Sequence, residues 1–232
     1  MFDWASIDLS ALWLTLKVAA CATALAMLLG VFCAFVITRT HVPGRRFIEA
    51  VLTLPMVLPP TVLGYYLIVV LGRNSALGGW LSSSLGIHLM FTWQGAVIAA
   101  AVVAFPLVFT SARAAFEGVD VNFERAARVL GANEAKVLLQ VTLPLAMRGI
   151  AAGTMLAFAR AMGEFGATLM IAGNIPGKTQ TLSLAVYDAV QSGNDALANG
   201  LVVVISVLCI VVLLASGYLL EPQRSDASAR PR

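Results

Sequence analysis

The chain has 232 residues, of which 59% are apolar and 12% are charged. A typical soluble domain carries about 25% charged residues, so this chain has too little polar surface to cover a water-soluble globule of its size. The composition therefore predicts an integral membrane protein. It argues against a disordered chain, a secreted disulfide scaffold and a nucleic-acid-binding protein.

Five apolar segments are long enough to cross a bilayer as helices, which takes about 20 residues each. Their apolar runs are continuous rather than alternating, which favours helices over a β-barrel. We therefore predict an all-α membrane protein with a single membrane domain, residues 11–220. In chain order, the predicted spans are residues 11–37, 51–71, 92–110, 150–172 and 201–220.

The basic residues predict the orientation of the chain in the membrane. Eleven of the fifteen Lys and Arg residues lie in segments 38–50, 111–149 and 221–232. Because cytoplasmic loops are enriched in Lys and Arg, we expect these segments inside, with the N-terminus outside and the C-terminus inside. Residues 1–10 would then be a periplasmic segment and residues 221–232 a cytoplasmic tail. The leader carries Asp3 and Asp8 before a long apolar run, which indicates a retained span rather than a signal peptide.

The predicted cytoplasmic loop 111–149 contains a helical pattern between residues 122 and 140. Asp120 or Asn122 can cap the helix start, and Gly131 interrupts or ends the helix. A second short helix is expected from Asn133. The apolar positions recur at the three- and four-residue spacing of an amphipathic helix, and they are Phe123, Ala126, Ala127 and Leu130.

Three interpretations of this helix compete. It could lie on the lipid headgroups, with its basic residues facing anionic lipid. It could be half of a DNA-binding helix-turn-helix, but the membrane spans on either side argue against that function. It could also be a docking element for a cytoplasmic partner, because Ala126 and Ala127 would allow another chain to approach closely.

The loop resembles the EAA loop of type I ABC importer permeases. Residues 124–131 read ERAARVLG, and the sequence VTLP follows after nine residues, at 141–144. Two departures are Val141 in place of Ile, and Glu124 standing one position early with Arg125 behind it. The resemblance implies a coupling helix that fits a cleft on a cytoplasmic ATPase. The residues to which it assigns this coupling are Glu124, Arg125, Ala126, Ala127, Gly131 and Ala132.

Two further stretches, residues 53–64 and 159–181, resemble permeases for tetrahedral oxyanions. The second stretch is most similar to molybdate permeases, although sulfate and thiosulfate permeases share its Arg-Ala-x-Gly-Glu-Phe-Gly core, here residues 160–166. Tungstate is a further alternative. The resemblance implies a multi-pass inner-membrane homodimer in contact with lipid. It also implies two ATPase subunits that bind ATP-Mg and a periplasmic oxyanion-binding protein, and it implies no cofactor or nucleic acid on this chain.

Two features inside the spans are candidates for the transport path or for a subunit interface. Prolines 55, 59 and 60 lack amide protons and should break or kink the second span, which would form either a hinge or a packing kink. Arg160 and Glu164 lie four residues apart and can pair. The pair could be a cationic station for an oxyanion or a purely structural ion pair. The candidate residues are Pro59, Pro60, Thr61, Arg160, Glu164 and Asn174.

Other classes of function are less well supported by the residues. Residues 173–179 resemble a nucleotide-binding P-loop, but three residues rather than four separate the glycines and an apolar helix precedes them, so we expect a turn. A secondary transporter should carry ionisable residues in several spans, whereas here one span does. We find no paired carboxylates, Ser/His pair or metal-ligand spacing, so the sequence predicts a transport subunit without a metal site rather than an enzyme.

Overall fold

The computed structural model describes residues 9–40 and 43–220, and these residues form helices without any strand. The prediction of an all-α protein is confirmed. The predictions for residues 1–8 and for the tail 221–232 lie outside the described residues. The helices are α1 (Leu9–Arg39), α2 (Arg45–Thr53), α3 (Pro60–Leu71), α4 (Ala76–Leu85), α5 (Trp93–Glu117), α6 (Val121–Val129), α7 (Glu134–Val137), α8 (Leu143–Met162), α9 (Gly166–Ala172), α10 (Leu182–Gln191) and α11 (Asp195–Leu220).

Four helices of the described chain are long and apolar enough to cross a membrane, and a bent pair makes a fifth candidate. The four are α1, α5, the continuous helix Glu134–Met162 and α11. The helix Glu134–Met162 joins α7 to α8 through a π-helical segment, Leu138–Thr142. Helical structure therefore extends into both ends of the predicted loop 111–149 and leaves residues 118–133 between the long helices.

The predicted second span, 51–71, is not one helix. After α2 comes a 3₁₀ turn, Leu54–Met56, and the segments Arg45–Met56 and Pro60–Leu71 meet at an angle of 109°. The cause lies in the prolines: Pro60 forces Pro59 into an extended conformation, and neither residue can donate a helical hydrogen bond. The expected break is confirmed, and it is much sharper than a kink.

The predicted fourth span, 150–172, is also interrupted. Helix α8 ends at Met162, and α9 begins at Gly166 after a three-residue break. The predicted pair Arg160 and Glu164 therefore flanks the end of α8 instead of lying on one continuous helix.

Helices α1, α5 and α8 pack closely at the centre of the structure because small residues line their contacts. A Cβ atom on Gly153 would lie 2.4 Å from the Cβ of Ser111, and one on Gly149 would lie 2.6 Å from the Cβ of Ala115. Close approach of this kind is the usual way in which helices associate in lipid, where van der Waals packing replaces the hydrophobic effect.

The second halves of the two broken segments, α3 and α9, pack against each other. A Cβ on Gly64 would lie 2.6 Å from the Cβ of Met170, and a Cβ on Gly166 would lie 2.8 Å from the Cβ of Pro60. The two breaks in the chain are therefore neighbours in space.

Candidate functional site

Helix α6 buries one charged side chain and exposes its large apolar side chains. Glu124 is the one buried residue of the helix, with 2% of its surface exposed. Val129 and Leu130 at its end are 87% and 88% exposed, and Val121 and Phe123 are exposed as well. A helix that faces water should instead expose its charged side chains and bury its apolar ones. Exposed apolar side chains that lie together on a surface usually mark a contact with a partner.

Glu124 is held by residues that come from distant parts of the sequence. Both carboxylate oxygens accept hydrogen bonds from the guanidinium of Arg39 at the end of α1, with an Arg39 Nη1 to Glu124 Oε2 distance of 2.7 Å. The Thr142 hydroxyl donates to Glu124 Oε1 at 2.7 Å. Arg128 lies 3.7 Å from Oε2. A two-pronged pairing of this kind fixes the orientation of both groups.

These contacts set the ionisation of Glu124. Its hydrogen bonds with the Arg39 guanidinium, and to a lesser extent with the Thr142 hydroxyl, hold the pKa of the carboxyl below its ordinary value, although burial alone would raise it. Glu124 is therefore the charged partner of Arg39 at neutral pH.

The ends of α6 follow from local sequence. Asp120 caps the helix by accepting a hydrogen bond from the Asn122 amide at 2.9 Å. Gly131 ends it with a φ of +85°, a conformation that glycine adopts without strain. Asn133 then caps α7 through the Lys136 amide. The predicted caps and the predicted end of the helix at Gly131 are confirmed.

The structure divides the six residues assigned to coupling into an outer and an inner group. Arg125, Ala126 and Gly131 are exposed, whereas Ala127 and Ala132 are half-buried. Glu124 alone points inward. Arg39 and Thr142, which hold Glu124, were not found by sequence reasoning, because separations of 85 and 18 residues give no local pattern.

A second charged cluster lies at the same end of the helices, between α2 and α5. Arg113 contacts Glu49 at 2.8 Å and Glu117 at 3.1 Å, and Arg45 pairs with the same two carboxylates. The cluster holds two Arg and two Glu residues, so their charges balance. It ties the first half of the broken second segment to the long helix α5.

The break between α8 and α9 contains the other buried carboxylate of the described residues, Glu164. Its Oε1 accepts a hydrogen bond from the Ala167 amide at 2.9 Å and so caps α9, while Oε2 lies 3.0 Å from Nη1 of Arg160. The Arg160–Glu164 pair predicted from the sequence is thus formed. Because the pair is neutral overall, Arg160 offers an anion little net positive charge.

The prolines of the other break lie beside this carboxylate. Gly166, two residues after Glu164, packs on Pro60, and Thr61 follows in the first turn of α3. Pro59, Pro60 and Thr61 are exposed.

Asn174 is not part of the same group of residues. It lies beyond the far end of α9, where its amide donates to Asp188 of α10 at 3.3 Å. The neighbouring stretch, 173–179, forms a turn after a helix, with Gly177 at a φ of +71°. No group of three or more His, Cys, Asp or Glu side chains in the described ranges is placed to hold a metal ion.

Comparison with known proteins shows the family. Residues 26–223 match the model for binding-protein-dependent transport system inner membrane components. The chain is 44% identical to the molybdenum transport system permease protein of Escherichia coli strain K12 over 218 residues, covering 94% of this chain and 95% of that protein. It is 41% identical to the molybdenum transport system permease protein of Haemophilus influenzae, covering 92% and 93%.

Solved structures agree on the fold. The inward-facing MetNI methionine ABC transporter superposes with a TM-score of 0.71 at 17% identity, over 90% of this chain and 93% of that chain. Together with the apolar helices, these findings identify a multi-pass inner-membrane transport component rather than an enzyme. The chain belongs to the family of binding-protein-dependent transport system inner membrane components, the permease subunits of ABC importers.

Proposed function

We propose that this chain is the permease subunit of an ATP-driven importer that carries a tetrahedral oxyanion into the cell, and that this oxyanion is molybdate. The substrate assignment rests on the two molybdenum transport permeases, which this chain matches over nearly its whole length. The core at residues 160–166, which sulfate and thiosulfate permeases share, makes these anions and tungstate the alternatives.

The observation that carries the coupling to ATP is the exposure of the apolar side chains of α6. Its large apolar side chains, Val129 and Leu130 above all, are exposed, while its carboxylate is buried. Each such side chain would gain about 1.5–3 kcal/mol if it were fully buried, so a partner surface would stabilise this helix strongly. We assign this surface, together with Arg125, Ala126 and Ala127, to the ATPase.

The assembly that follows is a homodimer with two ATPase subunits and one periplasmic binding protein. ATP-Mg binds to the ATPases, and this chain holds no cofactor of its own. Because the ATPases draw on cytoplasmic ATP, α6 lies on the cytoplasmic side, as the positions of the basic residues also indicate. The membrane domain is residues 11–220, with the N-terminus outside and the C-terminus inside.

The path for the anion passes the neighbouring breaks of the second and fourth segments. The exposed start of α3, with Pro59, Pro60 and Thr61, presents the positive end of a 12-residue helix. Helix starts at discontinuous segments attract anionic groups in other transporters. Arg160 and Glu164 support this wall as a neutral pair, and Asn174 fixes the far end of α9.

Transport is then a coupled change of conformation rather than chemistry on the substrate. When ATP draws the two ATPases together, the docked α6 helices move with them and shift the balance between inward- and outward-facing states. Hydrolysis of ATP resets the dimer.

The test is anion uptake by proteoliposomes that contain this chain, its ATPase and its binding protein. We expect molybdate uptake that requires ATP on the α6 side and is inhibited by tungstate more strongly than by sulfate. Uptake driven by an ion gradient without ATP would instead show a secondary transporter. ATP-dependent uptake of sulfate that ignores molybdate would overturn the substrate assignment alone.

A variant tests the docking surface separately. Leu130→Ser should weaken binding of the ATPase, measured by co-purification, by about thirtyfold, because losing one interface hot spot costs about 2 kcal/mol. Leu77→Ser is the matched control, because Leu77 is also exposed but lies in α4, at the opposite end of α5. Equal losses in both variants would contradict docking at α6.

A further inference from the structure

We propose that Arg39, Glu124 and Thr142 form a rigid joint that transmits the movement of α6 into α1 and α8, with Glu124 as its positioning residue. This inference rests on the proposed coupling of α6 to an ATPase. It adds that α6 is made of two functional faces, an apolar outer face that docks and a single inner carboxylate that transmits.

The geometry of the joint is suited to transmission because it leaves Glu124 little freedom to move. Both carboxylate oxygens are engaged by the Arg39 guanidinium, and Oε1 also accepts the hydrogen bond from Thr142. Arg39 itself lies 3.4 Å from the Thr142 hydroxyl, so the three side chains form a closed triangle. Rotation of one side chain would break contacts with both others.

The joint connects three elements that differ in what they can move. Arg39 is the last residue of α1, a single helix of 31 residues. Thr142 is buried and ends the π-helical segment from which α8 continues. Glu124 lies in the first turn of α6, a short helix whose other neighbours are α7 and this π-helical segment. Through Glu124, α6 therefore reaches both long helices directly.

The location of the π-helical segment supports the same interpretation. Single-turn π-helical segments inside α-helices are frequent at functional sites. Here the segment lies between the loop that carries α6 and the first turn of α8, and the joint fastens its last residue.

Loss of the Glu124 carboxylate should have a specific effect. Because the docking side chains of α6 point away from Glu124, its removal should leave the ATPase bound and active. The movement of the ATPase would then no longer reach α1 and α8 in full. The result would be uncoupling, in which ATP is hydrolysed with fewer anions transported.

The experiment measures ATP hydrolysis and molybdate uptake in the same proteoliposomes, containing the complete complex. In Glu124→Gln we expect the ATPase to co-purify and to hydrolyse ATP as in the wild type. The amount of molybdate transported per ATP should fall by about fivefold or more, since typical couplings between sites begin at about fivefold. Thr142→Val, a milder change that keeps the side-chain shape, should lower the same ratio by a smaller factor. The exchange Arg39→Glu with Glu124→Arg should restore most of it.

The matched control is Glu134→Gln, which removes a carboxylate of the same loop. Glu134 pairs with Arg128 at 2.7 Å but is exposed and lies outside the joint. We expect the wild-type ratio of molybdate to ATP in this variant.

Each outcome decides for or against the joint. Wild-type ratios in Glu124→Gln and Thr142→Val would overturn it, as would loss of the ATPase from Glu124→Gln, since that result would place Glu124 at the docking surface. If Glu124→Gln fails to accumulate, Thr142→Val and the exchange variant decide the matter by the same ratio. Failure of the proposed function would be seen differently, as wild-type protein that does not transport molybdate with ATP.

Discussion

The two buried carboxylates of the described chain, Glu124 in α6 and Glu164 between α8 and α9, are both paired with arginine but are built differently. The partners of Glu124 lie in α1 and at the end of the π-helical segment before α8, and its ion pair with Arg39 spans 85 residues of sequence. Glu164 pairs with Arg160 four residues before it and with the Ala167 amide three residues after it. The first carboxylate fastens separate helices together, whereas the second stabilises a local break in the chain.

The difference extends to the surroundings of the two carboxylates. At the same end of the helices as Glu124, ion pairs link α2 to α5, and the apolar side chains of α6 are exposed. Around Glu164, glycines bring α3 and α9 into close contact. We infer that the first region is built to transmit movement and the second to hold two half-helices in fixed positions.

The largest effect on stability is expected at Glu164. Glu164→Ala removes both the partner of Arg160 and the cap of α9, so it should destabilise the chain by about 3 kcal/mol, near the lower end for a broken buried pair because Arg160 stays partly exposed. SDS-unfolding titration in mixed micelles measures this loss. Glu164→Gln keeps an acceptor for the Ala167 amide and should cost about 1 kcal/mol. If both variants lose the same free energy of unfolding, Glu164 does not cap α9.

Gly64→Ala tests the close packing of the second region. Its Cβ would lie 2.6 Å from the Cβ of Met170 and 3.2 Å from the Cα of Ala167, so the helices would have to separate at a cost of about 2 kcal/mol. The control is Gly79→Ala in α4, where the nearest atom lies at 3.4 Å. That variant should be neutral or slightly stabilising in the same unfolding titration. A neutral Gly64→Ala would show that α3 and α9 do not depend on each other.

Thr61→Asp tests whether the anion path passes the start of α3. A carboxylate at the start of α3 suits the helix dipole, so the fold should tolerate it. It would also repel an approaching oxyanion and should lower the rate of molybdate uptake by about tenfold at low salt. Thr61→Asn, which has nearly the same shape without the charge, is the control. If both variants transport equally well, the path does not pass the start of α3.

The pH dependence of stability should reveal Glu124 with a smaller effect. Because its pKa is lowered in the folded chain, the carboxylate contributes stability above the unfolded value of about 4.3, and this contribution is lost as pH falls through the lowered pKa. The contribution is about 1 kcal/mol, since Arg39 is partly exposed.

Unfolding titrations of wild type and Glu124→Gln between pH 3 and 7 should therefore differ at neutral pH and converge in acid. A constant difference across this range would contradict ionic stabilisation of α6.

The parts of the structure that the sequence could predict depend on contacts between residues close in sequence. Local patterns predicted the long apolar helices, the break at the prolines, the caps of α6 and the Arg160–Glu164 pair, because each depends on residues a few positions apart. The sequence did not predict the interruption at Gly163, because an apolar run with one ion pair is typical of a continuous helix. The break becomes evident only from the hydrogen bond by which the Glu164 carboxylate caps α9 at the Ala167 amide. The inward turn of Glu124 was also missed, because it depends on Arg39 and Thr142, which only the packing of α1 and α8 brings near.

The most direct test of the central claim, that the outer face of α6 binds an ATPase on the cytoplasmic side, is thiol labelling of Ala126→Cys. The variant is made in a chain whose native cysteines, Cys21, Cys33 and Cys209, are replaced by alanine, and Ser83→Cys in α4 serves as the reference. We predict that a membrane-impermeant maleimide labels position 126 from the cytoplasmic side only, and that bound ATPase protects it while position 83 stays unaffected. Labelling of position 126 from the outside, or equal labelling with and without ATPase, would contradict the account.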